Sequence, residues 1–314
     1  MPFFSIVIPL YNKEKHIKAT LASVMAQDFP DFEVIVVNDG STDGSLAEAA
    51  SVMDERIKLF TIENHGVSYA RNYGIGKSSA SLVAFLDADD AWKPNHLGNL
   101  KQLFEAFPDC GLYATAYENV LGNKVFASRY KGIPSNKQWS GIVDDFFESS
   151  SINCIAWTSA VMIPKTVFET IGFFDETITF GAGEDIDLWM RIALKFPIAF
   201  CNRASAIYNL EADNRISDTN TNLRTFINLN AYDEAAKTNK SLKTYLDLNR
   251  FSIAIQYKLA GNKLKPKEYI DKIDKGNLNS KQRFLLKMPT PILKIFLRIK
   301  KRLLKNGIAL SAFR

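Results

Sequence analysis

The chain has 314 residues, 46% of them hydrophobic and 23% charged, with a formal net charge of +5; this argues against a disordered or collagen-like protein and allows one large domain plus a smaller appendage. Cys110, Cys154 and Cys201 are odd in number, widely separated and never in a CxxC pair, which argues against a disulfide framework or a structural zinc site and suits a reducing, cytoplasmic setting. No apolar run reaches the ~20 residues that span a bilayer, and MPFFSIVIPLYNKEK lacks the features of a signal peptide and reads as a first strand.

In chain order, the strand SIVIP is followed by a helix through Ile17, Leu21 and Val24, then the strand FEVIVVN and a helix near Ser45 to Met53. IKLFTI, a helix from about Val67 to Gly76 and the strand SLVAFL complete the first ninety residues. This is the βαβ rhythm of a mostly parallel sheet with helices on both faces. A helix from Asn95 to Phe107, the strand LYATAYENV, a helix near Val143 and the strand WTSAVMIP follow. The glycine-bearing loop FGAGED then leads into a helix through Leu188, Trp189 and Ile192 and a last strand near Ile198 to Tyr208. From about Thr221 only helical patterns remain. The expected division is therefore 1–220, an α/β domain; 221–290, a helical region; and 291–314, a basic amphipathic helix.

Sheets of this kind bind ligands outside the carboxyl ends of their strands, and two acidic motifs fall there. FLDADDAW places Asp87, Asp89 and Asp90 directly behind an apolar strand. In extended backbone Asp87 and Asp89 share a side, and two carboxylates suit a hard divalent cation, magnesium or manganese, that also takes diphosphate oxygens. An acidic turn before the next helix is the competing explanation. In VIVVNDGSTDGS, Asp39 ends a strand and can accept hydrogen bonds from a base or ribose, while Asp43 suits a helix cap. A third motif, GEDIDLWMRI, sets Asp185 on the helix face of Leu188, Trp189 and Ile192, where partial burial makes a carboxylate a better base. Acidic stabilisation of a helix N-terminus explains Glu184 and Asp185 equally well, and Asp187 with Arg191 reads as an ordinary surface ion pair.

Taken together and in order, SIVIPLYNKEKHI, VIVVNDGSTDGS, GVSYARNYGI, FLDADDAW, GFFDE and GEDIDLWMRI resemble the family 2 glycosyltransferases over roughly the first 210 residues. The resemblance implies the GT-A fold, an α/β nucleotide-diphospho-sugar transferase fold with a mixed, mostly parallel sheet flanked by helices, and an inverting transfer from a nucleotide-sugar, a UDP-sugar first, to an acceptor hydroxyl. It further implies that Asp39 contacts the base with Pro9 and Tyr11 bordering the pocket, that Arg71 approaches the phosphates, and that Asp87 and Asp89 form the DxD pair at ribose and metal-bound diphosphate. Asp185 is implied as catalytic base. Many relatives carry a histidine after the last strand; here Asn209, Leu210 and Glu211 stand there.

From Lys281 to Arg314 there are ten basic residues and no acid. TPILKIFLRIKKRLLKNG reads as an amphipathic helix with Ile292, Ile295, Phe296, Ile299 and Leu303 in one stripe. It is expected either to lie on an anionic membrane surface or to pack its stripe on the catalytic domain. With the resemblance, a membrane location implies a lipid-linked glycan acceptor, surface-polysaccharide synthesis and a peripheral position on the inner face of the cytoplasmic membrane. Nucleic acid is not expected, because the tail has little aromatic interleaving and no recognisable module. The rival readings are an inactive sugar-nucleotide-binding scaffold and a sugar-nucleotide pyrophosphorylase, the latter weakened by IPLYNKEK where a glycine-rich basic loop belongs.

Overall fold

The computed structural model describes residues 1–216 and 219–313; Arg314, counted in the basic tail, lies outside them. The first half is built from β1 (Phe4–Leu10), α1 (Ile17–Met25), β2 (Phe32–Asp39), α2 (Ser45–Ala50), β3 (Ile57–Ile62), α3 (Val67–Lys77), β4 (Leu82–Phe85), β5 (Ala91–Trp92), α4 (His96–Ala106) and β6 (Leu112–Leu121). It continues through β7 (Lys124–Ala127), β8 (Ser140–Ile142), α5 (Phe146–Ser149), β9 (Val161–Pro164), α6 (Lys165–Ile171), α7 (Glu184–Ala193) and β10 (Ile198–Asn209). The remainder is helical: α8 (Asp233–Ala236), α9 (Lys240–Leu259), α10 (Lys265–Ile270), α11 (Ser280–Lys287) and α12 (Thr290–Lys305).

One ten-stranded sheet runs in the order β3-β2-β1-β4-β9-β6-β10-β5, with β7 and β8 paired at its side. β1, β2, β3 and β4 are mutually parallel, β9 is antiparallel to both β4 and β6, and β10 runs parallel to β6. The strand order reverses at β1, so the carboxyl ends of β1, β2 and β4 open on one crevice. The side-chain alternation explains the layering. Phe4, Ile6, Ile8 and Leu10 join the core under α1 and α4, whereas Val7, Ile35, Val37, Val83 and Phe85 join the opposite core with residues of α3, α7 and α9.

Several local expectations change. The helix near Val143 is a strand ending at Ile142 and a one-turn helix from Phe146, capped by Asp145 accepting from Glu148 N at 2.9 Å. The strand in WTSAVMIP begins only at Val161, because Thr158–Ala160 form a 3-10 turn whose hydroxyls serve the neighbouring acids. The short strands β5 and β7 and the helix α6 carry too few residues for a periodic signal. The core with β-sheet residues also includes Ile227, Tyr232, Leu246, Ile253 and Tyr257, so packing is continuous across residue 220 although the secondary structure changes there.

Candidate active site

β4 stops at Phe85, and the next residues turn instead of extending. Asp90 N donates to the Asp87 carbonyl at 3.1 Å, closing a turn over Asp87–Asp90. The expectation that Asp87 and Asp89 project together from extended backbone is therefore corrected. Asp87 accepts from the Arg71 guanidinium at 2.8 Å, and Asp89 pairs with Lys13 Nζ at 2.7 Å. Asp90 points inward, accepting from Ser159 Oγ at 2.7 Å and from Asn209 N at 3.1 Å. Burial, then the charges of Asp89 and Asp87, push its carboxyl well above the usual range. Through Asp90 the acidic turn is fastened to the end of β10, where the histidine of many relatives would follow.

Asp185 stands in the first turn of α7, whose N-cap, Gly183, is left-handed with φ 103°. It is half-buried and accepts a long hydrogen bond from Thr158 Oγ1 at 3.4 Å. Burial raises its pKa, with Arg71 acting in the opposite sense. Beside it Glu184 is buried and accepts from Arg71 Nη1 at 3.3 Å. Burial first, and the Asp185 charge second, push Glu184 up to about 7. One buried guanidinium thus joins the acidic turn after β4 to the start of α7. Arg71, only 4% exposed, lies beneath these acids as the shared counter-charge of Asp87 and Glu184. A guanidinium buried this deeply stays only where it is paired.

Asp39 also has a structural partner that the sequence did not disclose. Its carboxylate accepts from the backbone N–H groups of His65 and Gly66 at 2.8 and 2.9 Å, fixing the entry to α3. The side chain is 3% exposed, so any contact with a base uses lone pairs left over from that anchoring. Gly40 makes the turn possible: at φ 67° an added Cβ would meet Asn64 N at 2.9 Å. Pro9 is half-buried at the end of β1, and Tyr11 beyond it is 45% exposed. Asp43 stands one residue before the N-cap of α2, Gly44, and accepts from Ser45 N at 3.0 Å, a local turn contact in place of the expected helix cap.

Lys13, which the sequence reading did not single out, and Glu184, which it read only as an acid at a helix N-terminus, complete the crevice. Lys13 pairs with Asp89 and also donates to the carbonyls of Asp213 and Asn214 at 2.8 and 3.0 Å. Glu184 shares Arg71 with Asp87. A lysine two positions after Tyr11 was a visible signal; the burial of Glu184 was not. Trp189, in contrast, is fully buried core, edge-on to Phe174 with ring centroids 6.1 Å apart. Asp187 and Arg191 are more than a surface pair. Arg191 donates to the carbonyls of Ile171 and Phe173 at 2.8 Å each, and Tyr232 Oη donates to Asp187 at 2.5 Å.

The site therefore offers oxygen donors only. Among the described residues no three His, Cys, Asp or Glu side chains are grouped to hold a metal ion by themselves. Magnesium and manganese are held by one or two carboxylates together with substrate phosphates and water; the carboxylates available here for such an ion are Asp87 and Asp89, each already beside a cation of the protein.

The sequence model of Glycosyl transferase family 2 matches residues 5–163. The chain belongs to glycosyl transferase family 2. TuaG of Bacillus subtilis, named for teichuronic acid biosynthesis, is 30% identical over 221 residues, covering 69% of this chain and 82% of that protein. Glycosyltransferase GlyA of Streptococcus pneumoniae is 30% identical over 183 residues, 54% of this chain and 25% of that one. The chain matches 36% and 58% of the lengths of two Rickettsia glycosyltransferases, and so spans about a third to three fifths of those curated relatives. The crystal structure of Staphylococcus aureus TarS 1–349 superposes with a TM-score of 0.56 at 19% identity, covering 94% of this chain and 91% of that one. The shared fold is the mixed, mostly parallel GT-A sheet with flanking helices, followed by a helical C-terminal region.

Proposed function

We propose that this glycosyltransferase moves a sugar from a nucleoside-diphosphate donor to a hydroxyl of a glycan acceptor with inversion, in the synthesis of a cell-surface polysaccharide. The observation that carries this reading is the Arg71 bridge, with Asp87 at 2.8 Å and Glu184 at 3.3 Å, which sets the acidic turn after β4 and the Asp185 turn against one crevice. TarS has been crystallised with UDP and with UDP-GlcNAc, which makes UDP the first nucleotide to test and a hexosyl or N-acetylhexosaminyl group the first sugar. The relation to TuaG supports a surface-polysaccharide acceptor, and a lipid-linked one suits synthesis at the inner face of the cytoplasmic membrane.

In this reading Asp185 accepts the proton of the acceptor hydroxyl as that oxygen bonds to the anomeric carbon. The bond from that carbon to the diphosphate oxygen breaks on the opposite face, and its electron pair leaves with the diphosphate. The half-buried position of Asp185 strengthens it as a base, and general-base assistance contributes roughly 10² to 10⁴ in rate. Asp39, Pro9 and Tyr11 border the nucleoside, and Arg71 holds Asp87 in place from below. Asp87 and Asp89 would hold a magnesium or manganese ion, which when bound supplies positive charge at the diphosphate. Lys13, already beside Asp89, supplies a cation of the protein's own at that place.

Calorimetric titration with UDP, GDP and other nucleoside diphosphates, with and without manganese, tests the donor site on wild type and Asp89→Ala. Metal-dependent binding of one nucleotide, lost in the variant, is the expected outcome. Absence of binding to any of them would replace this reading with a fold retained as a scaffold.

A further inference from the structure

The basic helix α12 has two apolar faces, and the protein uses only one. Leu293, 4% exposed, faces inward with the half-buried Leu297 and Leu304 as the helix packs against α9. Ile292, Ile295, Phe296 and Ile299, 44%, 51%, 49% and 49% exposed, form a second stripe in solvent. At about 100° per residue, the two apolar faces and the cationic face lie roughly a third of a turn apart. Lys294, Arg298, Lys301, Arg302 and Lys305 are all exposed on the third face. The alternative in which the sequence-predicted stripe packs on the catalytic domain is therefore not what α12 does with these four residues.

We propose that this outer stripe and the cations beside it dock α12 on the surface of an anionic lipid bilayer. An apolar patch this concentrated needs a partner, and the one-signed charge selects which: ten basic residues and no acid from Lys281 onward complement a leaflet of anionic headgroups. The helix lies in the surface plane, because no helix among the described residues is long and apolar enough to cross a membrane. Four large apolar side chains enter the headgroup–acyl boundary while the lysines and arginines reach the phosphates. The inner face stays on α9, so docking needs no unfolding of the helix. This surface is distinct from the crevice and does not depend on which sugar is transferred.

Flotation of the 314-residue chain with vesicles tests the docking. Binding is expected with phosphatidylcholine vesicles containing phosphatidylglycerol, at least tenfold weaker with phosphatidylcholine alone, and weaker as salt is raised. The double variant Ile295→Asp/Phe296→Asp should lose at least tenfold in vesicle binding, and Lys301→Glu/Arg302→Glu should lose the preference for anionic vesicles. Both alter outward-facing positions, so their thermal unfolding and nucleotide binding should match wild type. Failure to bind anionic vesicles at low salt, or binding untouched by the Asp variants, would overturn the proposal. So would sedimentation showing a dimer that the Asp variants disperse while no lipid is bound, since the stripe would then belong to a second copy.

Discussion

Asp185 and Glu184 are adjacent in sequence yet occupy different environments. Asp185 is half-buried at the crevice, whereas Glu184 is turned inward onto Arg71. Replacing Asp185 with Asn keeps the shape of the site but removes the base, so turnover should fall at least about a hundredfold with UDP affinity unchanged; single-turnover kinetics beside calorimetry separates the two. Glu184 makes a different prediction. Its folded-state pKa, about 7, lies above the ordinary 4.5, so the native state holds a proton that the unfolded chain has released between those values. The stabilisation is complete below about 4.5 and is lost as pH rises through 7. Compared with Glu184→Gln, the wild type should therefore lose melting temperature between pH 4.5 and 7.5, read by thermal unfolding across that range. A constant difference would mean that Glu184 stays ionised on Arg71.

At the level of elements, the crevice depends on α3 seating closely on β1 and β2, because α3 carries Arg71. Gly74 is what allows the approach: a Cβ there would lie 2.4 Å from Val7 Cγ1. Gly74→Ala improves helix propensity by about 1 kcal/mol, but the overpacking costs about 1–3 kcal/mol and moves the helix that positions Arg71. Net destabilisation in urea, together with weaker nucleotide binding, is expected. The turn after β4 depends likewise on its neighbours, since Ser159 donates to Asp90 while accepting from Asp87 N at 3.1 Å.

Across the whole molecule, the helical region completes the catalytic unit. Residues of α9 share a core with the sheet, and Tyr232 reaches α7 through Asp187. A buried charge network stiffens this region: Arg250, 1% exposed, donates to Asp233 at 2.6 Å and to Asp247 at 3.4 Å, and Asp247 also accepts from Asn277 at 2.8 Å. Arg250→Ala should cost about 3 kcal/mol, the lower part of the range for a broken buried pair, because Lys243 still neutralises Asp247. Denaturant unfolding should show this as one shifted transition. A separate early transition would indicate that the helices unfold independently of the sheet.

The βαβ rhythm, the placing of acids at strand ends and the family were legible in the sequence, because alternation along buried strands and glycine-bearing turns are local properties. The amphipathic character of α12 was legible for the same reason. Which of its apolar faces meets the protein was not, since that depends on where α9 lies. Nor could spacing alone show that Arg71 is a buried bridge, that Asp39 anchors the loop before α3, or that Asp90 is held by Ser159 and Asn209. Each of these pairs residues far apart in the chain, and their meeting is set by sheet order and helix packing. The sequence by itself determined which carboxylates are available to the site; the tertiary structure decided which cation or backbone donor each one meets, and therefore which remain exposed to a substrate.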